Sequence, residues 1–152
     1  KKIHYSVEKH TLNKKGKAEG ELIGGNLALI YALLGTPYSF DFKDKILFIE
    51  DIGENFYALD RMLISLDLAG VFRKIKGLII GGMTNMGDAK ENKNYEEPFD
   101  EFAYEIIAQR LKNYNFPTLF GFPNGHIFDN RPLIIGSKVK MEVEEKGLVK
   151  IL

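Results

Sequence analysis

Compact apolar runs separated by an amphipathic segment occupy the middle of the chain. Residues 45–50 read KILFIE, an apolar stretch that ends in an acid and is followed by a predicted turn at 51–54. Residues 76–81 read KGLIIG and form a second short apolar run. From 55 to 70, apolar side chains recur at roughly helical spacing and end at a glycine. This order of strand, helix and strand predicts two buried parallel strands joined by a right-handed crossover.

Antiparallel patterns flank this core at both ends of the chain. From Ile3 to Ile23, polar and β-branched residues alternate around NKKGK, which predicts a hairpin with its turn at Asn13–Gly16. Residues 137–152 alternate around Lys146–Gly147 and predict a closing hairpin. Pro117–Phe120 is expected to form a short third strand of the core.

Two further helices are expected, together with a long loop. Asn26 suits the capping of a short buried helix over residues 27–34, and Pro98 suits the start of an amphipathic helix that runs to residue 113. Residues 82–97 are polar and turn-rich, which indicates a mobile loop. The apolar positions on or near one face of the second helix are Phe99, Phe102, Ile106 and Leu111.

The predicted fold class is α/β, with one domain over residues 1–152. It has a parallel βαβ core flanked by antiparallel hairpins, and one layer of helices covers it. The chain opens on strand-like residues without an initiator Met, so we expect it to be a piece of a longer protein.

Composition argues against several classes of function. The 152 residues include 21 Lys and Arg against 21 Asp and Glu, scattered along the chain, so neither nucleic acid nor an anionic membrane is an expected partner. The absence of cysteine excludes disulfides, a thiolate nucleophile and cysteine-type zinc sites. The apolar runs are too short to span a bilayer, and no basic and apolar leader opens the chain.

Among the three histidines, His126 is the candidate general base. His4 and His10 fall in the predicted opening hairpin, where surface side chains are expected. His126 lies in the loop GFPNGHIFDN, where flanking glycines allow another group to approach and Asn130 is placed to fix the ring. The pattern equally accommodates a turn residue whose ring binds local backbone.

Two acids end the first predicted core strand. Ligands gather at the carboxyl ends of strands in open α/β sheets, so one of Glu50 and Asp51 is expected to face a site. Neighbouring strand residues point to opposite sides, so if Glu50 faces the crevice, Asp51 serves the turn or the positive end of the following helix. Capping roles for both acids remain an alternative.

No serine has the setting of an activated nucleophile. The sequence has no GxSxG motif, Ser65 lies within a predicted helix, and Ser6, Ser39 and Ser137 lie in strand or turn segments. If His126 is a base, its nucleophile therefore lies elsewhere. Most aromatic residues are expected in the core, although Tyr38, Tyr57 and Phe122 are candidates for lining a peptide groove.

Several separated motifs, taken in order, resemble the LD-carboxypeptidase family. The similarity is to the C-terminal domain of muramoyl-tetrapeptide carboxypeptidases and of related microcin-immunity peptidases, from about Gly16 to Gly136. The motifs are GELIGGNL (20–27), GTP (35–37), ILFIEDIGE (46–54), DRML (60–63) and GFPNGH (121–126).

In that family a Ser-Glu-His triad is divided between two domains, and the serine lies in the N-terminal one. The resemblance implies that Glu50 and His126 are catalytic, that the nucleophile domain is absent from this chain, and that the chain alone is inactive. His126 is then the base and afterwards the acid, while Glu50 selects the ring tautomer and stabilises the imidazolium. No catalytic part is assigned to Asn26.

The resemblance also implies a swivelling-type β/β/α domain and a cytoplasmic, homodimeric serine peptidase without metal or cofactor. Its expected reaction is hydrolysis of the L,D-peptide bond before the terminal D-Ala of a murein tetrapeptide, in peptidoglycan recycling. Two alternatives remain open: detoxification of a microcin-type peptide antibiotic, and a noncatalytic peptide-binding or dimerisation module.

Overall fold

The computed structural model describes residues 3–87 and 98–152, which form seven strands and four helices. The strands are β1 (His4–Val7), β2 (Gly16–Asn26), β3 (Ile46–Ile52), β4 (Gly77–Thr84), β5 (Thr118–Leu119), β6 (Lys138–Val143) and β7 (Gly147–Ile151). The helices are α1 (Leu27–Leu33), α2 (Phe56–Leu68), α3 (Val71–Lys74) and α4 (Glu101–Arg110).

All strands join one sheet in the order β1-β7-β6-β2-β3-β4-β5. Strands β2, β3, β4 and β5 are parallel, whereas β2, β6, β7 and β1 pair antiparallel. The long strand β2 belongs to both parts, because residues 16–21 pair with β6 and residues 22–26 pair with β3. The predicted α/β class, the parallel β3-α2-β4 unit and the closing β6–β7 hairpin are confirmed.

The predicted opening hairpin is wrong. Strand β1 pairs with β7, and β2 pairs with β6 and β3. The segment expected to turn is bound elsewhere: Lys14 exchanges two backbone hydrogen bonds with Thr118, and the Asn13 side chain accepts a 2.8 Å hydrogen bond from the backbone of Phe120. Alternating residues predict a strand but carry no information about which strand will pair with it.

The two faces of the sheet pack into separate apolar cores. Leu47 and Ile49 of β3 face a core shared with the helices, whereas Ile46 and Phe48 face a core built with β1, β6 and β7. This alternation is the period of two expected of a strand. The predicted single layer of helices therefore covers one face, and none of the described helices has the length and apolar character to cross a bilayer.

Helix α4 differs from its predicted form in start and orientation. Asp100 caps it by accepting a 2.9 Å hydrogen bond from the backbone of Ala103, while Pro98 lies outside the helix. Phe102, expected on the apolar face, is 55% exposed. Its buried residues are Ala103, Tyr104 and Ile107. Leu111 is also in the core, and Phe99 and Ile106 pack against it, so the predicted face is wrong at Phe102 and confirmed at the other positions.

The loop predicted over residues 82–97 begins too early, because β4 continues to Thr84. Residues 88–97 of that loop, which include an acidic stretch from 91 to 97, lie outside the described residues. Helices α1 and α2 occupy their predicted positions.

Candidate active site

Three chain segments meet at the carboxyl edge of the parallel strands. Asn26 at the end of β2 is the register partner of Glu50 in β3, and the loop after β5 brings His126 to the same place. Parallel strands end at a common edge, so polar residues distant in sequence converge there. The side chains of these residues are connected by hydrogen bonds.

The contact between Glu50 and His126 is the shortest in this group. Nδ1 of His126 lies 2.8 Å from Oε2 of Glu50, and the backbone N–H of His126 donates to the same oxygen at 3.3 Å. A carboxylate oxygen accepts, so Nδ1 carries the proton of this hydrogen bond, and in the neutral imidazole the lone pair is then on Nε2. The predicted proximity is confirmed, with the Glu50 side chain 8% exposed and the His126 side chain 49% exposed.

The histidine loop approaches Glu50 closely because Gly125 has no side chain. A Cβ atom at Gly125 would lie 2.8 Å from Oε2 of Glu50, and the backbone there has a φ of +124°. The prediction that a glycine beside the histidine permits close approach is therefore confirmed.

Strand β4 holds the other side of the same loop. The Gly82 backbone N–H donates to the Asn124 carbonyl, and the buried Thr84 hydroxyl donates to the His126 carbonyl, each at 3.0 Å. Two β4 residues, Gly81 and Gly82, oppose Glu50 alone, which makes a bulge at this point. Bulges commonly re-aim a strand beside a site, and here the bulge includes the residue that binds the loop.

Asp51 binds the start of α1 and the backbone of Ile52, which lies in the predicted turn. Of its two predicted roles, the one at the helix that follows it in sequence is wrong. Its carboxylate accepts from the backbone of Ala28 at 3.0 Å, from Nδ2 of Asn26 at 3.0 Å and from its own neighbour Ile52 at 2.8 Å. Burial raises the pKa of Asp51, while these hydrogen bonds act in the opposite direction. The parallel pairing of β2 with β3 places α1 nearer to Asp51 than the sequence order suggests.

Asn26 links both acids to helix α1. Its Oδ1 accepts from the backbone of Leu29 at 3.2 Å, which confirms the predicted cap, and its Nδ2 lies 3.4 Å from Oε1 of Glu50. Sequence reasoning missed this link to Glu50, because β2 was expected to pair in a hairpin. An asparagine at the end of a strand that is followed directly by a helix was the available signal.

Asn130 braces the loop, and its predicted contact with the His126 ring is not formed. Its side chain accepts from the backbone of Gly125 at 3.3 Å. Phe122, expected to line a groove, is instead fully buried and packs against Tyr5 at a centroid distance of 5.4 Å. Tyr38 and Tyr57 are exposed.

The other histidines lie away from this group. His4 is exposed on β1, as expected. His10 is largely buried, with its ring stacked on Phe120 and its Nε2 3.3 Å from Glu101, so its predicted surface position is wrong.

A family model described as the LD-carboxypeptidase C-terminal domain matches residues 19–141. Among curated proteins, the probable murein peptide carboxypeptidase of Bacillus subtilis (strain 168) is 40% identical over 134 residues, which cover 88% of this chain and 40% of that protein. The microcin C7 self-immunity protein MccF of Escherichia coli is 28% identical over 134 residues, which cover 88% of this chain and 37% of that protein.

Solved structures agree with the sequence comparison. Muramoyltetrapeptide carboxypeptidase from Oxalobacter formigenes superposes with a TM-score of 0.82 at 28% identity, over 99% of this chain and 50% of that chain. MccF in complex with glutamyl sulfamoyl guanosine gives a TM-score of 0.76 at 25% identity, over 97% of this chain and 41% of that chain. The chain thus spans half or less of the length of these proteins.

Proposed function

The chain belongs to the LD-carboxypeptidase family, whose C-terminal domain it matches, and from this premise we propose that Glu50 and His126 are two members of a Ser-Glu-His triad. The proposed reaction is hydrolysis of the L,D-peptide bond before the terminal D-Ala of a murein tetrapeptide, as part of peptidoglycan recycling. The observation that carries the proposal is the 2.8 Å hydrogen bond between Nδ1 of His126 and Oε2 of Glu50.

The proposed roles follow from this hydrogen bond. Nε2 of His126 takes the proton of the serine hydroxyl as its oxygen attacks the scissile carbonyl, and Glu50 stabilises the imidazolium that results. The imidazolium then protonates the amine of the departing D-Ala, which leaves an acyl-enzyme. A water molecule, deprotonated by the same nitrogen, hydrolyses the acyl-enzyme. Glu50 takes up no proton in these steps.

The serine in this proposal comes from an N-terminal domain of the complete protein. Two observations support it: the chain covers 40% of its Bacillus relative, and no serine hydroxyl within residues 3–87 and 98–152 is hydrogen-bonded to His126. Domain docking then becomes part of catalysis, because a misplacement of about 1 Å can cost about a hundredfold in rate. The proposal includes a cytoplasmic homodimer without metal or cofactor, on the strength of the family resemblance.

A peptide antibiotic is the second candidate substrate. It is favoured by the TM-score of 0.76 with the MccF complex that contains glutamyl sulfamoyl guanosine. The identity of 40% to the murein peptide carboxypeptidase, against 28% to MccF, supports the murein peptide as the first. Comparing turnover of a murein tetrapeptide with turnover of a glutamyl sulfamoyl nucleoside in the same enzyme distinguishes the two.

Two single substitutions in the complete protein, one at Glu50 and one at His126, test the triad. We expect Glu50→Gln and His126→Asn each to reduce D-Ala release by about a thousandfold or more, measured by mass spectrometry, because the base loses its partner or is removed. Peptide binding and the melting temperature should change little. A noncatalytic binding module, in contrast, would bind the peptide without releasing D-Ala in the unmodified protein.

A second histidine and glutamate pair provides the matched control. Nε2 of His10 lies 3.3 Å from Oε1 of Glu101, away from the proposed triad. The variants His10→Asn and Glu101→Gln should retain the rate of the unmodified enzyme. Full turnover in Glu50→Gln or His126→Asn would exclude the proposed triad.

A further inference from the structure

We infer that Asp51 is a positioning residue, whose carboxylate holds the Asn26 amide against Glu50 and thereby orients Glu50 toward His126. The inference deepens the proposed function, because Glu50 matters in this way only if it serves the triad. Asp51 itself has no hydrogen bond to His126 among the described residues, so its effect passes through Asn26 and Glu50.

The Asp51 carboxylate has little freedom of its own. The residue is 2% exposed, and its two oxygens accept three N–H groups, from Asn26, Ala28 and Ile52. A buried carboxylate with this many donors is held in one rotamer, because any other would leave buried N–H groups without an acceptor. The Asp51 carboxylate therefore keeps one orientation near the end of β3.

Asp51 makes the shortest of the three contacts that fix the orientation of the Asn26 amide. Nδ2 of Asn26 lies 3.0 Å from Asp51 and 3.4 Å from Glu50, while Oδ1 accepts from the backbone of Leu29. A flipped amide would turn its oxygen toward two carboxylates and its NH2 group toward a backbone N–H. Both contacts are repulsive, so only the observed orientation satisfies every group.

The amide in turn assigns the two oxygens of Glu50. Oε1 lies next to Nδ2 of Asn26, and Oε2 accepts from both Nδ1 and the backbone N–H of His126. With each oxygen bound on its own side, the carboxylate plane is set and Oε2 points at the ring. Loss of Asp51 removes the shorter of the two hydrogen bonds made by the Asn26 NH2 group, so the amide is held less firmly and the Glu50 carboxylate can rotate away from the geometry that the imidazolium needs.

A double-mutant cycle in the complete protein tests this path. Asp51→Asn keeps the shape of the side chain and removes one acceptor oxygen, whereas Asn26→Ser keeps a helix cap and removes the amide donor. Each variant is expected to lower kcat on the murein tetrapeptide about tenfold with KM within about twofold, because geometry and not substrate binding is lost. The double variant should also lose about tenfold, since both residues act in one path.

A capping carboxylate at another helix supplies the control. Asp100 accepts from the backbone of Ala103 at the start of α4, and Asp100→Asn should leave kcat unchanged. Melting temperatures of all variants show which proteins remain folded. An unchanged kcat in Asp51→Asn, or losses that multiply to about a hundredfold in the double variant, would overturn the inference.

An NMR readout separates this inference from the proposed reaction. In protein labelled with 15N at the histidine rings, the Nδ1 proton of His126 bound to a carboxylate gives a downfield signal, identified by its loss in His126→Asn. We expect Asp51→Asn to shift or broaden this signal and Asp100→Asn to leave it in place. Its persistence unchanged in Asp51→Asn would refute the positioning role even in a protein that shows no turnover.

Discussion

Oε2 of Glu50 lies 2.8 Å from Nδ1 of His126, although the two residues are 76 positions apart in the chain. One partner lies within buried strand β3 and the other belongs to a loop, so the hydrogen bond depends on how closely the loop approaches the strand. Changes that leave both residues in place should therefore still alter the site.

Gly125→Ala should separate the histidine loop from Glu50. The new Cβ atom would lie 2.8 Å from Oε2 of Glu50 and 3.0 Å from its Cβ atom, so one of the two segments must move. We expect the rate of D-Ala release by the complete protein to fall about a hundredfold, the scale expected of a 1 Å displacement.

The control for this change is Gly136→Ala, because Gly136 also has a positive φ, at +85°, but no atom lies within 4 Å of the added methyl group. Both variants should lose about 1–3 kcal/mol of unfolding free energy to backbone strain, measured by urea denaturation. A similar loss of activity in both would mean that strain, and not the contact with Glu50, explains the effect.

Thr84→Val should loosen the histidine loop without adding volume. The Thr84 hydroxyl is fully buried and donates to the His126 carbonyl at 3.0 Å, so valine leaves that carbonyl without its partner. We expect a loss of about 1–3 kcal/mol in unfolding free energy and a fall in turnover of about tenfold.

A second buried threonine provides the comparison. Among the described residues, the hydroxyl of Thr118 in β5 makes a single hydrogen bond, 3.4 Å long, to the Phe116 carbonyl. Thr118→Val should therefore cost less than about 1 kcal/mol and leave turnover unchanged. Equal kinetic effects of the two substitutions would contradict a specific role for the hydroxyl of Thr84.

Asp51 should make the folded protein less stable as the pH rises, the opposite of the usual effect of a carboxyl group that is ion-paired in the folded state. Burial raises the pKa of Asp51 above its ordinary value of 3.8, so the folded protein binds more protons than the unfolded one between the two values. The stability of the unmodified protein relative to Asp51→Asn should therefore fall as the pH rises from 3.8 through the raised value, and then remain constant.

Asp60→Asn should give the opposite dependence. Hydrogen bonds from Arg110 lower the pKa of Asp60 below 3.8, so its contribution is present above that pH and is lost as the pH falls through the lowered value. Urea unfolding over a pH series measures both differences. If the stability differences of the two variants changed with pH in the same direction, the opposite pKa shifts of Asp51 and Asp60 would be ruled out.

Gly24→Ala should disrupt the pairing of β2 with β3. A Cβ atom at Gly24 would lie 1.9 Å from the carbonyl oxygen of Phe48, which is backbone and cannot rotate aside. We expect this variant to be less stable than Gly25→Ala by about 3 kcal/mol or more, because the neighbouring Gly25 has no atom within 4 Å of an added methyl group. Equal urea midpoints for the two variants would contradict this geometry.

Local patterns predicted individual elements better than they predicted pairing. The buried runs ending at Glu50 and near Gly81 are parallel strands, and the cap at Asn26 lies where it was expected. The opening hairpin failed because β1 and β2 find partners far along the chain. Strand pairing is set by cross-strand contacts and turn geometry, which the alternation within one strand does not report.

In the candidate site, the sequence predicted the two main residues but not the hydrogen bonds that connect Asn26 to Glu50 and Asp51. Glu50 and His126 were identified from a strand end, a glycine-flanked loop and a family resemblance. The Asn26 amide between two carboxylates was not, because it depends on β2 lying beside β3.

The sequence by itself determined the α/β class, the main helices, the core strands and the two residues proposed for the triad. Only the tertiary structure decided that Asp51 serves α1, that Thr84 holds the histidine loop, and that Asn130 braces the loop without contacting the ring. Periodicity and capping arise from neighbours within a few residues, so one sequence displays them. A hydrogen bond between distant segments depends on where the whole sheet places its strand ends.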